Sequence, residues 1–431
     1  LQNIVGTSAS SRITINGNND TLSFVTYSNE RRIVGLSNVS FITLKNLNIV
    51  SAGPTFGYGI QMDMGSHDIL IDSCNIDISA VTSTSSVNSV GILSSGSLTS
   101  PATTGNNASR ITISNSRING GISEGMYYGI RFNGLSTTIS DTSIRIVNNE
   151  ISNFYAYGIY LNHISNSLIE GNDIHRADKQ TVTTFYGIYT TGGSSADTAN
   201  ANRIHNSHGS ATSLTGASYP IYNSSNDADP TNPNIFVNNL IYDINSNGTI
   251  YGIYNSGSDN QAYVNNTISL DHAAATGGIT RGIYQTTTAI GITFANNNIS
   301  ITRGGTGVKH GIYLNTNTSV VNSNFNNVYL NSTGSGSQFL GRENATDHLD
   351  INAWQVASSL DTNSIDSDPL YVDLINGDLT PTNPDLDGAG SNLGVFVDFF
   401  GVIRNNPPDI GAIEFIPPVM IPYYPIATIN T

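Results

Sequence analysis

The sequence predicts an all-β protein, a right-handed parallel β-helix of about ten coils with a C-terminal capping segment. Three observations lead to this prediction. Gly, Asn, Ser and Thr are abundant and only 11% of the 431 residues are charged, a composition typical of turn-rich β structure. A motif recurs roughly every 30 residues, and two of its positions hold equivalent residues in each copy; we call each such set of positions a column. The apolar residues form short alternating runs separated by Asn and Gly, and they do not follow the spacing expected of amphipathic helices.

The first column of the repeat is a Gly-Ile pair or its equivalent, as in "YGIYLNHISNSLIEGNDIH" from Tyr157. This column begins at Gly59, Gly91, Gly129, Gly158, Gly187, Pro220, Gly252, Gly282 and Gly311. The second column is Asn-x-Ile or Asn-x-Val, at Asn149, Asn172, Asn202, Asn239, Asn266, Asn297 and Asn326. Cys74 and Ser116 occupy the second column in two earlier units.

This period is too short for a repeating βαβ unit but fits three short strands and three turns. Stacked coils would then pair each strand with its copy in the next coil at about 4.8 Å. The isoleucines of the first column are expected to point inward and form a core ladder: Ile60, Ile92, Ile130, Ile159, Ile188, Ile221, Ile253, Ile283 and Ile312. The Asn column is expected at a tight turn, where Asn tolerates left-handed geometry and its amides can bond from coil to coil.

Six tyrosines follow the Gly-Ile pairs, and strand alternation predicts that they point outward on one face. They are Tyr160, Tyr189, Tyr222, Tyr254, Tyr284 and Tyr313. Such a row is a candidate platform for sugar rings, with phenol hydroxyls as hydrogen-bonding groups. The alternative is self-stacking, which stabilises a sheet without any ligand. The tyrosines before the pairs, such as Tyr58, Tyr128, Tyr157, Tyr186 and Tyr251, are expected inward or at a corner.

The domain organisation predicted from the rhythm has three parts: coils over 1–332, a C-terminal cap over 333–416 and a Pro-rich linker or tail over 417–431. Trp354 is predicted on a short helix that covers the last coil, because an open coil presents unpaired strand edges. The chain opens within what resembles a β coil, without an initiator Met or a signal peptide, so further structure upstream is expected.

Composition excludes several classes of function. With 16 basic and 31 acidic residues the formal charge is -15 and the sequence pI is near 4.7, so a nucleic-acid backbone would be repelled. The single cysteine, Cys74, cannot form an intrachain disulfide or a cysteine zinc cluster and is interpreted as a buried small residue. No apolar run approaches the roughly 18 residues that a membrane helix requires.

The Gly-Ile coils, followed by "AWQVASSLDTNSIDSDPLYVD" and closing with "VIRNNPPDIGAIEF", resemble the parallel β-helix domains of large secreted Bacteroidota-type proteins. The resemblance covers nearly the whole chain, and the closing segment with "DIGAIEF" is its most specific part. It implies export to the cell surface or medium, often as cargo of the type IX secretion system. It leaves activity open, because members of this group include adhesin-like proteins and proteins that accompany polysaccharide-degrading enzymes.

Catalysis was tested against the requirements of uronate lyases and polygalacturonases. A lyase needs a basic residue beside clustered carboxylates, and a polygalacturonase needs paired carboxylates. Neither pattern is present; the remaining polar cluster comprises His163, Asp173, His175, Arg176 and His205, with Asp178 and Lys179 nearby. The alternative interpretation is a polar outer face, because the column of His175 and His205 elsewhere holds serine or tyrosine.

Three acidic segments offer oxygen ligands for Ca²⁺: "NDADPTNPN", "DTNSIDSDP" and "NPDLDG". None continues as an EF-hand loop, and Asp and Asn are ordinary turn residues, so no metal and no cofactor is predicted.

The sequence therefore favours a non-catalytic, exported module that acts as a rigid spacer or adhesin with a capacity for carbohydrate binding. Expected partners are a neutral polysaccharide or a protein of the cell surface or secretion machinery, and the expected location is extracellular or the bacterial cell surface. The alternative is a polysaccharide lyase or glycoside hydrolase with a non-standard site.

Overall fold

The computed structural model describes residues 1–105, 108–135, 141–211 and 213–418. Each coil contributes one strand to each of three parallel sheets, which we number 1, 2 and 3 in chain order within a coil. Among the described residues, sheets 2 and 3 each contain 11 strands, one coil stacked on the next. The predicted parallel β-helix is therefore confirmed.

Sheet 1 carries the Gly-Ile pairs. Its strands are Arg32–Ser37, Gly57–Asp63, Ser89–Ser94, Tyr128–Asn133, Tyr157–Asn162, Phe185–Thr191, Ser218–Ser224, Ile250–Ser256, Thr280–Thr286, Lys309–Leu314, Gln338–Glu343 and Thr346–His348. The last of these strands pairs antiparallel with its neighbour.

Sheet 2 follows after a turn. Its strands are Ile13–Asn16, Ile42–Lys45, His67–Asp72, Ser109–Ser114, Arg145–Val147, Leu168–Glu170, Thr198–Asn200, Asn234–Val237, Gln261–Val264, Ile292–Ala295 and Val321–Asn324.

Sheet 3 completes the coil. Its strands are Thr21–Phe24, Asn48–Ser51, Asn75–Asp77, Arg117–Asn119, Glu150–Ser152, Asp173–His175, Arg203–His205, Leu240–Ile241, Thr267–Leu270, Asn298–Ile301 and Asn327–Leu330. A separate two-stranded pair joins Asp141–Thr142 to Ile164–Ser165.

The predicted isoleucine ladder forms the core behind sheet 1. All nine isoleucines from Ile60 to Ile312 are fully buried, and each pairs in register with the one in the next coil. Burying an isoleucine side chain stabilises the fold by about 1.5–3 kcal/mol. The repeated column thus supplies one continuous core along the axis.

The Asn column lies at the turn between sheets 2 and 3 and forms the predicted amide ladder. The side-chain nitrogen of Asn202 donates to the amide oxygen of Asn239 at 2.9 Å, and Asn239 donates to Asn266 at 2.9 Å. The expectation of left-handed geometry for this column is wrong by one residue. The residue before each ladder Asn has the positive φ, for example Asn238 at 55° and Asn265 at 53°, so the ladder side chain itself points inward.

The C-terminal segment caps the last coil and then continues along the outside of the solenoid. The helix Ile351–Ser358 begins at the capping side chain of Asp350 and buries Trp354 completely. Short 3₁₀ helices follow at Leu374–Asn376 and Pro384–Leu386. Of the predicted tail 417–431, residues 419–431 lie outside the described part of the chain.

Residues 391–411 pack against turns between sheets 2 and 3 that belong to much earlier coils. The side chain of Asn296 donates to the Ser391 carbonyl at 2.7 Å, and Asn265 donates to the Gly411 carbonyl at 3.4 Å. Arg404 donates to the Asn238 side chain at 2.8 Å. The segment therefore covers the side of the solenoid as well as its end.

Within the described residues, no helix is both long and apolar enough to cross a membrane.

Candidate functional site: the tyrosine face

Both tyrosines of the Tyr-Gly-Ile-Tyr segment point to the outer surface of sheet 1. The strand ladder pairs Tyr157 with Tyr186 and Ile159 with Ile188 but leaves Gly158 unpaired. A Cβ on Gly158 would lie 2.6 Å from the Cγ2 of Ile174 on sheet 3, so this position also faces inward. Two consecutive inward positions interrupt the alternation, and the residues on either side therefore both face outward.

The first tyrosine column is consequently placed differently from the expectation of an inward or corner position. Tyr58, Tyr128 and Tyr157 belong to an apolar cluster on the outer side of sheet 1 that is separate from the main core. Tyr219, which the sequence analysis missed because Pro220 replaces the usual glycine, lies in the same column. Simple alternation failed because the glycine lies outside the regular pleat.

The six tyrosines of the second column form one continuous row, as the sequence predicted. Each is half-buried and adjacent to the next in the strand register. Ring centroids are separated by 5.0 Å for Tyr160 and Tyr189, 4.8 Å for Tyr189 and Tyr222, 4.3 Å for Tyr222 and Tyr254, 4.9 Å for Tyr254 and Tyr284, and 5.3 Å for Tyr284 and Tyr313.

The two columns also contact each other, so they form one surface, which we call the tyrosine face. Tyr157 meets Tyr160 edge-on at 5.4 Å, and Tyr251 meets Tyr254 edge-on at 5.2 Å. The rings of Tyr222 and Tyr254 are nearly parallel, at 8°, and cover each other. Ring edges and phenol hydroxyls are therefore the parts of this surface that are best placed to meet a ligand.

Burial raises the pKa of several phenols on the tyrosine face. The pKa of Tyr189 rises to about 12, chiefly by burial and further by the neighbouring Tyr160 and Tyr222. The pKa of Tyr219 also rises to about 12, chiefly by burial and next by the neighbouring phenol of Tyr251. These phenols are neutral near pH 7 and can both donate and accept hydrogen bonds.

Four arginines lie in the tyrosine columns, none of them predicted from the sequence: Arg32 and Arg342 have carboxylate partners, whereas Arg131 and Arg281 are held by aromatic rings. Arg131 pairs in register with Tyr160, and Arg281 pairs in register with Tyr251. The guanidinium of Arg131 lies 4.4 Å from the ring centres of both Tyr128 and Tyr160. Arg131 and Arg281 therefore stack on aromatic rings of the face.

The residues of the alternative polar cluster do not all lie together in the fold. Asp173, His175 and His205 lie together on the outer side of sheet 3, where His205 Nε2 is 2.6 Å from Asp173 Oδ1. The two imidazole rings stack with centroids 4.9 Å apart. His163 follows sheet 1 at the turn next to Gly192 instead, and Arg176 is completely buried.

Electrostatics of this histidine pair favour an ionised carboxylate. Burial opposes ionisation of Asp173, but the hydrogen bond from His205 and the charges of His205, His175 and Arg203 lower its pKa below the usual value. The pKa of His175 is lowered by burial and by the adjacent His205. An imidazole paired with a carboxylate in this way can take up and release a proton.

Arg176 and Lys179 are buried and donate hydrogen bonds to backbone carbonyls inside the solenoid. Arg176 donates to the carbonyls of Ser207 at 2.6 Å and Tyr155 at 2.6 Å. Lys179 donates to the Asn153 carbonyl at 2.8 Å, and burial followed by the charge of Arg176 lowers its pKa to about 7. Both cations therefore join turns of neighbouring coils through backbone oxygens.

The acidic segments are occupied by local hydrogen bonds. Asp361 terminates the Asn ladder, accepting from Asn326 at 2.9 Å, Trp354 Nε1 at 2.9 Å and Ser364 at 2.7 Å. Asp229 accepts from the backbone and hydroxyl of Thr231. Among the described residues, no group of three or more His, Cys, Asp or Glu side chains is arranged to hold a metal ion.

The chain matches no protein-family model and no curated protein. Solved structures similar to it include the Dettilon tailspike protein gp208, with 15% identity over 76% of this chain and 62% of that chain, at a TM-score of 0.44. They also include PfbA, a surface adhesin of Streptococcus pneumoniae, with 15% identity over 81% of this chain and 76% of that chain, at 0.42. The periplasmic alginate epimerase AlgG aligns with 15% identity over 69% of each chain, at 0.37.

Proposed function

We propose that this chain is a non-catalytic module of an exported or cell-surface protein, a rigid spacer or adhesin that binds a glycan on the tyrosine face. The observation that carries the proposal is the unbroken row of tyrosines from Tyr160 to Tyr313, in register on six consecutive strands. Five strand spacings give this row a length of about 24 Å, enough for several sugar residues.

The geometry supports recognition through hydroxyls and ring edges. Neighbouring rings such as those of Tyr222 and Tyr254 already stack on each other, so a sugar polymer would lie along the row over the ring edges and exchange hydrogen bonds with the phenols. A row held rigid by the sheet loses little side-chain entropy when it binds, which favours tyrosine as a contact residue.

Another side of the solenoid is covered by the C-terminal segment, which supports a structural role for the parts of the molecule outside the tyrosine face. Residues 391–411 contact the turns between sheets 2 and 3 and the strands beside these turns, on a different side from the tyrosine face. The resemblance of the coils and closing segment to secreted Bacteroidota-type proteins supports an extracellular or cell-surface location and export by the type IX system. A surface or secretion-machinery protein is the other class of partner that such a module would bind.

A triple replacement of Tyr222, Tyr254 and Tyr284 by Ala tests the proposal. Because this change removes three adjacent phenols, we expect it to abolish retention on polysaccharides that retain the wild-type protein, as measured by affinity electrophoresis and a glycan array. The matched control is Tyr329→Ala, on sheet 3 and away from the face, which should bind as the wild type does. Equal binding by the triple variant and the wild type would reject the tyrosine face as the binding site.

The second candidate function is a polysaccharide lyase or glycoside hydrolase. It is favoured by one observation, the 2.6 Å contact between His205 and Asp173 on an outer surface. Release of unsaturated or reducing products from uronate polysaccharides, lost in His205→Ala but retained in the tyrosine triple variant, would favour the enzyme over the binding module.

A further inference from the structure

Arg281 is a charged residue enclosed by the tyrosine face. It occupies the first column, where the previous coil has Tyr251 and the next has His310. Its side chain is only 9% exposed. The guanidinium carbon lies 3.8 Å from the ring centre of Tyr313, 3.9 Å from that of Tyr284 and 4.7 Å from that of Tyr251. Three aromatic rings therefore fix the position of this cation.

No carboxylate of the described chain neutralises Arg281. Some other arginines of this acidic protein have such partners: Arg342 lies 2.6 Å from Asp347 and Arg404 lies 2.7 Å from Glu414. Arg281 has no salt-bridge partner among the described residues, its hydrogen-bonding neighbour on the face is the neutral phenol of Tyr251, and its Nε is buried without a partner. The aromatic rings stabilise the charge, but no negatively charged group among the described residues accepts a hydrogen bond from its N–H groups.

Arg131 repeats this arrangement at the other end of the face. It is 6% exposed, lies between Tyr128 and Tyr160, and donates its Nε to the Asn133 side chain at 3.2 Å. It also has no salt-bridge partner among the described residues. The strands of Arg131 and Arg281 are separated by five spacings, about 24 Å. Arg131 thus lies one coil before Tyr160 and Arg281 lies in the coil of Tyr284, and neither guanidinium has a counter-ion among the described residues.

A planar guanidinium is matched in geometry by a carboxylate, which accepts two parallel N–H bonds. Asp347 contacts His310, the residue paired with Arg281 in the next coil, and its carboxylate is already held by His310 at 2.9 Å and Arg342 at 2.6 Å. Repulsion from the overall negative charge is screened beyond about 8 Å at physiological salt, so the local cation decides the sign of the field at this site.

We propose that the tyrosine face binds a glycan that carries carboxylate groups, with one carboxylate on Arg281 and another on Arg131. This inference rests on the proposed function and names the class of glycan. It replaces the neutral polysaccharide expected from the net charge, because net charge describes the whole chain, whereas recognition depends on groups within a few ångströms of the ligand.

The test compares polymers that share a backbone and differ only in their carboxylates. The probes are polygalacturonate with its methyl ester, and carboxymethyl cellulose with hydroxyethyl cellulose. We expect the wild-type protein to bind the carboxylated member of at least one pair at least about tenfold more tightly than the neutral member, and to lose this preference as salt is added.

Variants then locate the charge. Arg281→Gln should reduce affinity for the carboxylated polymer by about tenfold, and Arg281→Lys should recover only part of the loss because an ammonium lacks the planar fork. Arg117→Gln is the matched control, since this exposed arginine lies on sheet 3, away from the tyrosine face, and is paired with Glu150 at 3.1 Å. Melting curves of each variant show whether it is folded.

The outcomes separate this inference from the proposed function. Equal binding to both members of each pair, reduced by the tyrosine triple variant, would overturn the carboxylate preference and keep the tyrosine face as a glycan site. Equal losses in the Arg281 and Arg117 variants would also overturn it, because the effect would then reflect net charge. Failure of the wild-type protein to bind any of the four polymers, together with a silent glycan array, would overturn both.

Discussion

Single glycines determine how closely the coils of sheet 1 approach each other. At Gly252, an added Cβ would lie 2.7 Å from the carbonyl oxygen of Gly282 and 2.8 Å from the Cγ2 of Ile268. The same kind of contact recurs at Gly158 and Gly187. The first column therefore contains glycine because there is no room for a side chain between the inner surfaces of sheets 1 and 3, and this absence lets both flanking tyrosines point outward.

We expect Gly252→Ala to destabilise the protein by about 1–3 kcal/mol, because the methyl group would press against backbone that can move only with the whole coil. Chemical denaturation measures the change in the free energy of unfolding. Gly277→Ala is the control, since the nearest heavy atom to its added Cβ is 3.9 Å away. Equal stability of the two variants would show that the packing argument is wrong.

At the scale of the element, the Asn ladder is a hydrogen-bonded turn that repeats from coil to coil. Asn239 is fully buried, and its side chain makes four hydrogen bonds. It accepts from the backbone and side chain of Asn202 at 3.1 and 2.9 Å, and donates to Ala199 and Asn266 at 3.0 and 2.9 Å. The ladder begins with shorter side chains, where Cys74 N–H donates to Ser116 Oγ at 3.1 Å.

Replacing Asn239 with Ala should lower the free energy of unfolding by at least about 2 kcal/mol, because several buried donors and acceptors would lose their partners. Asn239→Ser should cost less, since Ser116 already fills this column in another coil. Thermal and denaturant unfolding measure both variants, with the exposed Asn331→Ala as control. A serine variant as unstable as the alanine variant would contradict the role of the side-chain acceptor.

At the scale of the whole molecule, the tyrosine face and the C-terminal segment extend across many coils and couple them. Phe399 packs beneath Arg203, with 4.6 Å between the guanidinium carbon and the ring centre. Arg404 and Glu414 form a buried pair, 2.7 Å apart, that holds the closing segment together. Contacts of this length along the axis oppose the separation of neighbouring coils, which in a solenoid are otherwise joined only to their nearest copies.

The stacked phenols predict how stability depends on alkaline pH. The pKa is about 12 for Tyr189 and Tyr219 in the folded protein, against about 10 for an unfolded chain. A raised pKa means that the unfolded state loses its proton first, so this contribution to stability is complete below about pH 10 and is lost as pH rises through about 12.

We therefore expect β-sheet circular dichroism and phenolate absorbance to change together between about pH 10 and 12. Replacement of Tyr189, Tyr219 and Tyr254 by Phe should move the midpoint upward, because phenylalanine keeps the stacking and cannot ionise. Phenolate formation near pH 10 with an intact sheet signal would contradict this coupling.

The sequence by itself determined the architecture, because every coil of a solenoid needs the same types of residue at the same positions. Inward isoleucine, a turn amide and an outward tyrosine recur at fixed spacing, and each needs only the equivalent residue one coil away. The isoleucine ladder, the Asn ladder and the row from Tyr160 to Tyr313 could therefore be predicted from periodicity.

Only the tertiary structure decided the features that depend on distant or irregular contacts. The unpaired glycine placed Tyr157 on the outer face, against simple alternation. Burial separated Arg176 from the histidines beside it in sequence. The fold also brought Arg404 to Asn238 and left Arg281 among three rings without a counter-ion. Spacing along a chain fixes which residues repeat, whereas charge pairing and burial depend on every group that the folded chain brings near.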